Sequence, residues 1–274
     1  SFSIKIKDIF SDHWDAFVLE GYPLRSAVLK NVDKVIKCGD PSMGYALYHC
    51  ENCSKFKYVY FTCKSRFCNS CGAKYIQDRA SKISSKLINC KHRHIVFTIP
   101  EELRIFFRKD RDLLHLLFKA SADTVLTWFS KLNKSENFKP GIISTMHTFG
   151  RDLKWNPHIH MIVTEGASGS KTVWRKVSHI PFNMLRKRWQ ATILDFLHKR
   201  LGHSFYTLKS RLFKTYSDGF YVYAKSNMDS KAKDAVEYII RYTGRPAMAQ
   251  SRILDYDGEF VTFYYDRHED GQRV

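Results

Sequence analysis

Asn156-Pro157-His158-Ile159-His160-Met161-Ile162-Val163 sets two histidines around one bulky apolar residue and then runs apolar to its end. Successive side chains of an extended chain point to opposite faces, so His158 and His160 share one face and Ile159 takes the other. The run reads as a strand entering a sheet, with both imidazoles at its mouth. Residues 141–148 form a second apolar strand, and the polar Gly150-Arg151-Asp152-Leu153-Lys154-Trp155-Asn156-Pro157 joins the two as a hairpin. His147 lies on that partner strand, where a third imidazole can reach the same point.

Outward from the hairpin, His94-Ile95-Val96-Phe97-Thr98-Ile99 is a strand stopped by Pro100. Helices follow over 101–108 and 111–132, the second with a long Leu/Phe stripe that belongs to a core. Residues 184–201 form an amphipathic, Arg-rich helix whose Arg186 and Arg188 are candidates, with Arg241 and Arg245 further on, for contact with DNA. A strand over 220–224, a helix over 230–242 that Asp229 can cap, and a last strand over 259–265 complete the chain. Near the start, residues 4–37 form two short helices broken around Gly21-Tyr22-Pro23. Strands separated by helices or tight turns predict an α+β fold with helices packed on an antiparallel sheet. Three segments are expected: a helical one over 1–37, a cysteine module with a basic helix over 38–90, and the sheet domain over 91–274.

The chain has 274 residues and is 44% hydrophobic, enough for a folded body with a core. Its 45 Lys and Arg against 27 acids give a net charge of +18 and a pI near 9.6, which favours a polyanionic partner, nucleic acid first. No apolar run is long enough to span a membrane, and the first residues lack a signal-peptide core, so a cytoplasmic protein is expected.

All seven cysteines fall within residues 38–90, an odd and clustered set that reads as a metal site. Cys50-Glu51-Asn52-Cys53 and Cys68-Asn69-Ser70-Cys71 are two knuckles, each placing two thiolates on one turn, and together they can close a tetrahedron around structural Zn²⁺. Cys63 and Cys38 are in reserve as ligands, with His49 weaker; Cys90 reads as a core residue. Arg66, Lys55, Lys57 and Lys64 surround the module and suit contact with DNA.

Two or three imidazoles with open positions suit a divalent ion gripping a phosphate oxygen. No Ser/His/Asp set or carboxylate cluster stands near them in sequence to act as nucleophile. Tyr238 and Tyr242, four apart on the 230–242 helix with Arg241 and Arg245 beside them, put two hydroxyls on one face and can supply it. A free phenol has a pKa of about 10, so a metal ion or an arginine must favour the phenolate.

At these residues the chain resembles a known family. His158-Ile159-His160 resembles the HUH motif, and Tyr238-Ile239-Ile240-Arg241-Tyr242-Thr243-Gly244-Arg245-Pro246 resembles the Y2 motif of IS91-type rolling-circle transposases. The Met146–Leu153 stretch, the strand running from His94 into Glu102-Leu103, and the paired cysteine knuckles resemble that family in the same order. The resemblance spans roughly residues 35–265. It implies an HUH-type sheet, Mg²⁺ or Mn²⁺ on the histidines, and tyrosine attack on single-stranded DNA of transposon ends and target. A 5′-phosphotyrosine bond and a free 3′-OH would result. It also implies a bacterial, nucleoid-associated protein, with a monomer the simplest expectation for its oligomeric state. Phe67 stands where relatives often have His, so that position offers no ligand. Relatives continue past the last strand with a further basic segment, which raises the expectation of a truncated or divided protein ending at Val274. Two other readings stay open: a catalytically silent zinc-ribbon DNA-binding protein, and a metallonuclease that uses water.

Overall fold

A computed structural model describes residues 5–177, 179–224, 248–266 and 271–274. Its contacts divide the chain into two units, residues 1–79 with 244–274, and residues 80–243. The last strands fall in the first unit.

In the second unit the hairpin is β4 (Lys139–Phe149) and β5 (Trp155–Ser168), antiparallel, with the short β6 (Arg175–Lys176) on β5. On its other side β5 pairs with β3 (His92–Phe97), which pairs with β7 (Val222–Ala224), giving the order β4-β5-β3-β7. Alternation decides the faces. Ile159, Met161 and Val163 of β5 and Ile95 and Phe97 of β3 are fully buried in the main hydrophobic core. They pack with residues of α4 (Glu101–Lys109), α5 (Leu114–Leu132) and α6 (Phe182–Leu201), among them Leu103, Leu117, Phe129, Trp189 and Ile193. Because the period is 2, His158, His160, His94 and His147 fall on the opposite face.

The helices end where local chemistry demands. α4 starts after Pro100 with Glu101 and Glu102 in its first turn and ends with Arg108 and Lys109, each charge opposing the helix dipole. α6 stops at Gly202, whose φ of 77° side chains resist. One helix, α7 (Tyr206–Thr215), was not expected from sequence; its apolar stripe is short, Leu212 buried in the core and Leu208 one turn before it packed against the core.

In the first unit α1 (Ile6–Leu19) and α2 (Ser26–Ile36) pack through Trp14, Val32 and Val35, and Trp14 Nε1 donates to Asp33 Oδ1 at 3.1 Å. β1 (Tyr45–His49) and β2 (Phe56–Tyr60) form an antiparallel ribbon, followed by α3 (Asn69–Ser84). A second ribbon, β8 (Ile253–Tyr256) with β9 (Val261–Phe263), is tied to α1 by Tyr256, whose hydroxyl donates to Asp12 Oδ2 at 2.6 Å. No helix among the described residues is long and apolar enough to cross a membrane.

Candidate metal centres

The hairpin register sets His147 directly across from His158, while His160 lies between Thr145 on one side and Val96 on the other. Each of His147, His158 and His160 offers one ligand atom, and these three atoms all lie within 4.8 Å of one another. The rings of His147 and His160 are 4.5 Å apart by centroid, those of His158 and His160 4.9 Å. His158 Nδ1 sits 2.7 Å from the Asn156 carbonyl oxygen. A carbonyl only accepts, so this nitrogen carries the proton and Nε2 keeps the lone pair a cation needs. Three nitrogen donors gathered this closely fit a divalent ion.

A fourth imidazole belongs to the cluster. His94 on β3 is buried, its Nε2 lies 2.9 Å from His160 Nδ1, and the two rings stack at 8°. From sequence His94 lies on an expected strand but has no assigned role. The signal was available: His94 precedes the alternating apolar Ile95 and Phe97, so when those two face the core it falls on the other face, with His158 and His160. Burial and the charge of His147 push the His94 imidazole down to about 4. Burial, then the charges of His147, His158 and His94, push His160 down to about 2. Both rings are therefore neutral at physiological pH, the form that binds a metal.

Four thiols gather in the first unit: Cys38, Cys63, Cys68 and Cys71. Cys38 and Cys63 each have their Sγ 3.6 Å from Cys71 Sγ, and Cys68 Sγ is 3.8 Å from Cys38 Sγ. A tetrahedron with Zn–S bonds of about 2.3 Å puts neighbouring sulfurs about 3.8 Å apart, so the spacing fits zinc. The backbone N–H of Cys63 donates to Cys38 Sγ and that of Ser65 to Cys63 Sγ, both at 3.4 Å. Burial pushes the Cys63 and Cys38 thiols up, so a cation is what would hold them as thiolates.

The expected set was Cys50, Cys53, Cys68 and Cys71. The structure brings the second knuckle together with the two reserves, and leaves Cys50 and Cys53 exposed at the turn between β1 and β2. The hairpin explains this. Its base is closed by Gly39 N–H donating to the Phe61 carbonyl and Phe61 N–H to that of Gly44, which brings Cys38 and Cys63 together. The first knuckle sits at the far end of five paired rungs, about 17 Å away at roughly 3.4 Å per residue. His49 is also exposed and leans on Phe56, and Cys90 is half-buried.

Tyr238, Tyr242, Arg241 and Arg245 lie outside the described residues. Of the arginines assigned to DNA, Arg66 covers the Tyr75 ring at 5.3 Å, Arg186 lies over Tyr221 at 5.9 Å, and Arg188 is paired with Asp123 at 3.0 Å. Trp189 is fully buried, its Nε1 donating to the Thr98 carbonyl, and is a core residue.

Comparison with known proteins adds independent findings. Residues 9–99 match a family described as a transposase zinc-binding domain, and residues 141–274 one described as a putative transposase. The chain is 30% identical over 279 residues to the transposase for insertion sequence element IS801 of Pseudomonas savastanoi pv. phaseolicola, covering 96% of this chain and 67% of that one. It is 24% identical over 294 residues to the putative transposase y4qJ of Sinorhizobium fredii, covering 98% and 72%. No solved structure matches the chain.

Proposed function

The chain belongs to the IS91 family of transposases, and on that premise we propose that it cuts and rejoins single-stranded DNA through a 5′-phosphotyrosine intermediate. What supports this reading is the placement of three imidazoles on the sheet face turned away from the helical core. His147, His158 and His160 would hold Mg²⁺ or Mn²⁺. Such an ion, when bound, polarises a scissile phosphate and offsets the charge that builds on its oxygens. The Asn156 carbonyl keeps the His158 proton on Nδ1 and so turns Nε2 to the site. With His160 binding through Nε2, its Nδ1–H would donate to His94 Nε2 2.9 Å away, which would fix the ring and raise its basicity as a ligand.

Tyr238 or Tyr242 supplies the nucleophile, and Arg241 and Arg245 favour its phenolate. The phenolate oxygen bonds to phosphorus as the P–O3′ bond breaks, and the leaving oxygen takes a proton to become a free 3′-OH. Joining is the reverse: a 3′-OH attacks the phosphotyrosine ester, the P–O bond to tyrosine breaks, and the phenol is restored. One ester replaces another, so no nucleotide triphosphate is consumed. In the zinc-binding domain, the ligands are Cys38, Cys63, Cys68 and Cys71.

The test is to incubate the full chain with labelled single-stranded element ends and Mn²⁺ and look for a protease-sensitive, SDS-resistant protein–DNA species. Tyr238→Phe and Tyr242→Phe each remove one oxygen with little change in volume, so loss of the adduct identifies the attacking hydroxyl. Cleavage without an adduct would mean that water, not tyrosine, is the nucleophile. DNA binding without cleavage would leave the silent zinc-ribbon reading in its place.

A further inference from the structure

The ribbon β1–β2 turns an unusual face to solvent. Its register pairs Tyr45 with Tyr60, Leu47 with Tyr58, and His49 with Phe56, so these six side chains share one side. All are exposed, Phe56 at 62% and Tyr58 at 53%. The rings touch one another rather than a core: Tyr45 meets Tyr58 edge-on at 5.1 Å and Tyr60 at 6.1 Å, and His49 tilts onto Phe56 at 4.8 Å. Exposing this much aromatic surface costs solubility unless something binds it.

We infer that this face is a stacking platform for single-stranded DNA, separate from the histidine centre and resting on the strand-processing reading above. The charge around it chooses the partner. Lys55 stands in the turn at the ribbon's tip and Lys64 and Arg66 follow its base, against the single acid Glu51 between residues 44 and 67, while Lys57 alternates to the other face. Aromatic rings among basic side chains are what a sequence-tolerant grip on a single strand requires: bases stack on the rings and phosphates meet the cations. A duplex hides its base faces in its own stack and offers the rings nothing. A protein partner would favour a centre depleted of charge, unlike this lysine-flanked ribbon. The thiol cluster stands at the ribbon's base, where the Gly39–Phe61 and Phe61–Gly44 hydrogen bonds close it, so zinc held there would also order the platform.

Affinity of the full chain for an unstructured oligothymidylate tests this, with zinc content and circular dichroism as controls. The double variant Phe56→Ala/Tyr58→Ala should bind about 10- to 100-fold more weakly, with an unchanged salt slope because the phosphate contacts remain. Tyr58→Phe keeps the ring and should bind as the parent does. Unchanged affinity of the double variant would overturn the proposal. So would an equal loss on duplex DNA, or a loss of self-association by light scattering in place of DNA affinity. Should the double variant lose zinc, Tyr58→Trp keeps an aromatic ring, and its added fluorescence should be quenched by oligothymidylate; no added quenching would overturn the idea. Adduct formation reads the histidine centre and oligothymidylate affinity reads the ribbon, so either reading can fail while the other stands.

Discussion

The imidazoles of the second unit lie on adjacent rungs of a hydrogen-bonded ladder, whereas the thiols of the first come from the end of a helix, the foot of a hairpin and the loop and helix after it. The histidine site would keep its shape without an ion, because a buried core behind the sheet holds its strands. The cysteine site has far less backing, chiefly Trp14, Val32 and Val35 between the first two helices among the described residues. Most of the ribbon beside it is exposed, and a bound ion would have to supply what packing does not. A metal that organises chemistry and a metal that organises a fold should therefore respond differently to loss of a ligand.

The largest effect is expected at the thiols. Cys68→Ala or Cys71→Ala should abolish zinc binding and unfold the first unit, since structural zinc contributes about 10–16 kcal/mol in small modules. Elemental analysis and proteolysis read both. Cys50→Ser/Cys53→Ser should leave one zinc per chain, whereas Cys38→Ser should not. The reverse pattern would return the ligand set to the two knuckles.

At the imidazoles the same kind of change should spare the fold. His158→Ala should slow strand cleavage by about 10³-fold, the worth of several kcal/mol of charge stabilisation. Its melting temperature and oligothymidylate affinity should stay near those of the parent, since phosphate contacts elsewhere dominate binding. A variant that unfolds instead would show that the site is not preorganised by the sheet, and the contrast with the thiols would collapse.

That contrast also explains what the sequence could disclose. His158, Ile159 and His160 announce their faces because a strand has period 2, and the apolar run after them announces the core. Pairing with β4 then followed from the polar loop between two apolar runs. Cys38 and Cys63 gave no such cue, because their meeting depends on where a hairpin closes and no period links them. The C-x-x-C spacing of Cys50 and Cys53 was a real turn signal: Ser54 N–H donates to the Cys50 carbonyl in a tight knuckle. A knuckle does not say which other ligands the chain brings to it. α7 was missed because its stripe is only Leu208 and Leu212, and β8 because its exposed residues resemble a loop.

A smaller change tests the support behind the ligands. His94→Ala should weaken Mn²⁺ binding by about 10- to 100-fold, the usual cost of removing a group that orients a ligand. Saturating Mn²⁺ should recover most of the cleavage rate. His94→Gln, which can still accept the His160 Nδ1–H, should recover part of the affinity, whereas the apolar His94→Phe should not. Equal affinities for all three variants, measured by calorimetry, would remove His94 from the site.

The smallest effect is a pH dependence of stability, read most simply with no divalent ion on the histidines. His94 has an ordinary value of 6.5 and is held down to about 4 by burial first and the charge of His147 second. Above pH 6.5 the ring is neutral both folded and unfolded, and it contributes no pH dependence. Below 6.5 the unfolded chain takes up a proton that the folded chain refuses, so stability falls as the pH drops towards about 4. His160, held down to about 2, extends the loss to lower pH. Thermal melts of the metal-free chain across this range should therefore show a declining midpoint, and His94→Gln should make the decline shallower. A bound divalent ion would steepen it, because protons must displace metal from neutral imidazole before the ring can charge. A midpoint that is flat between pH 6.5 and about 4, or a decline that His94→Gln leaves untouched, would show that these imidazoles are not held neutral by the fold. The histidine site would then be no more preorganised than the cysteine one.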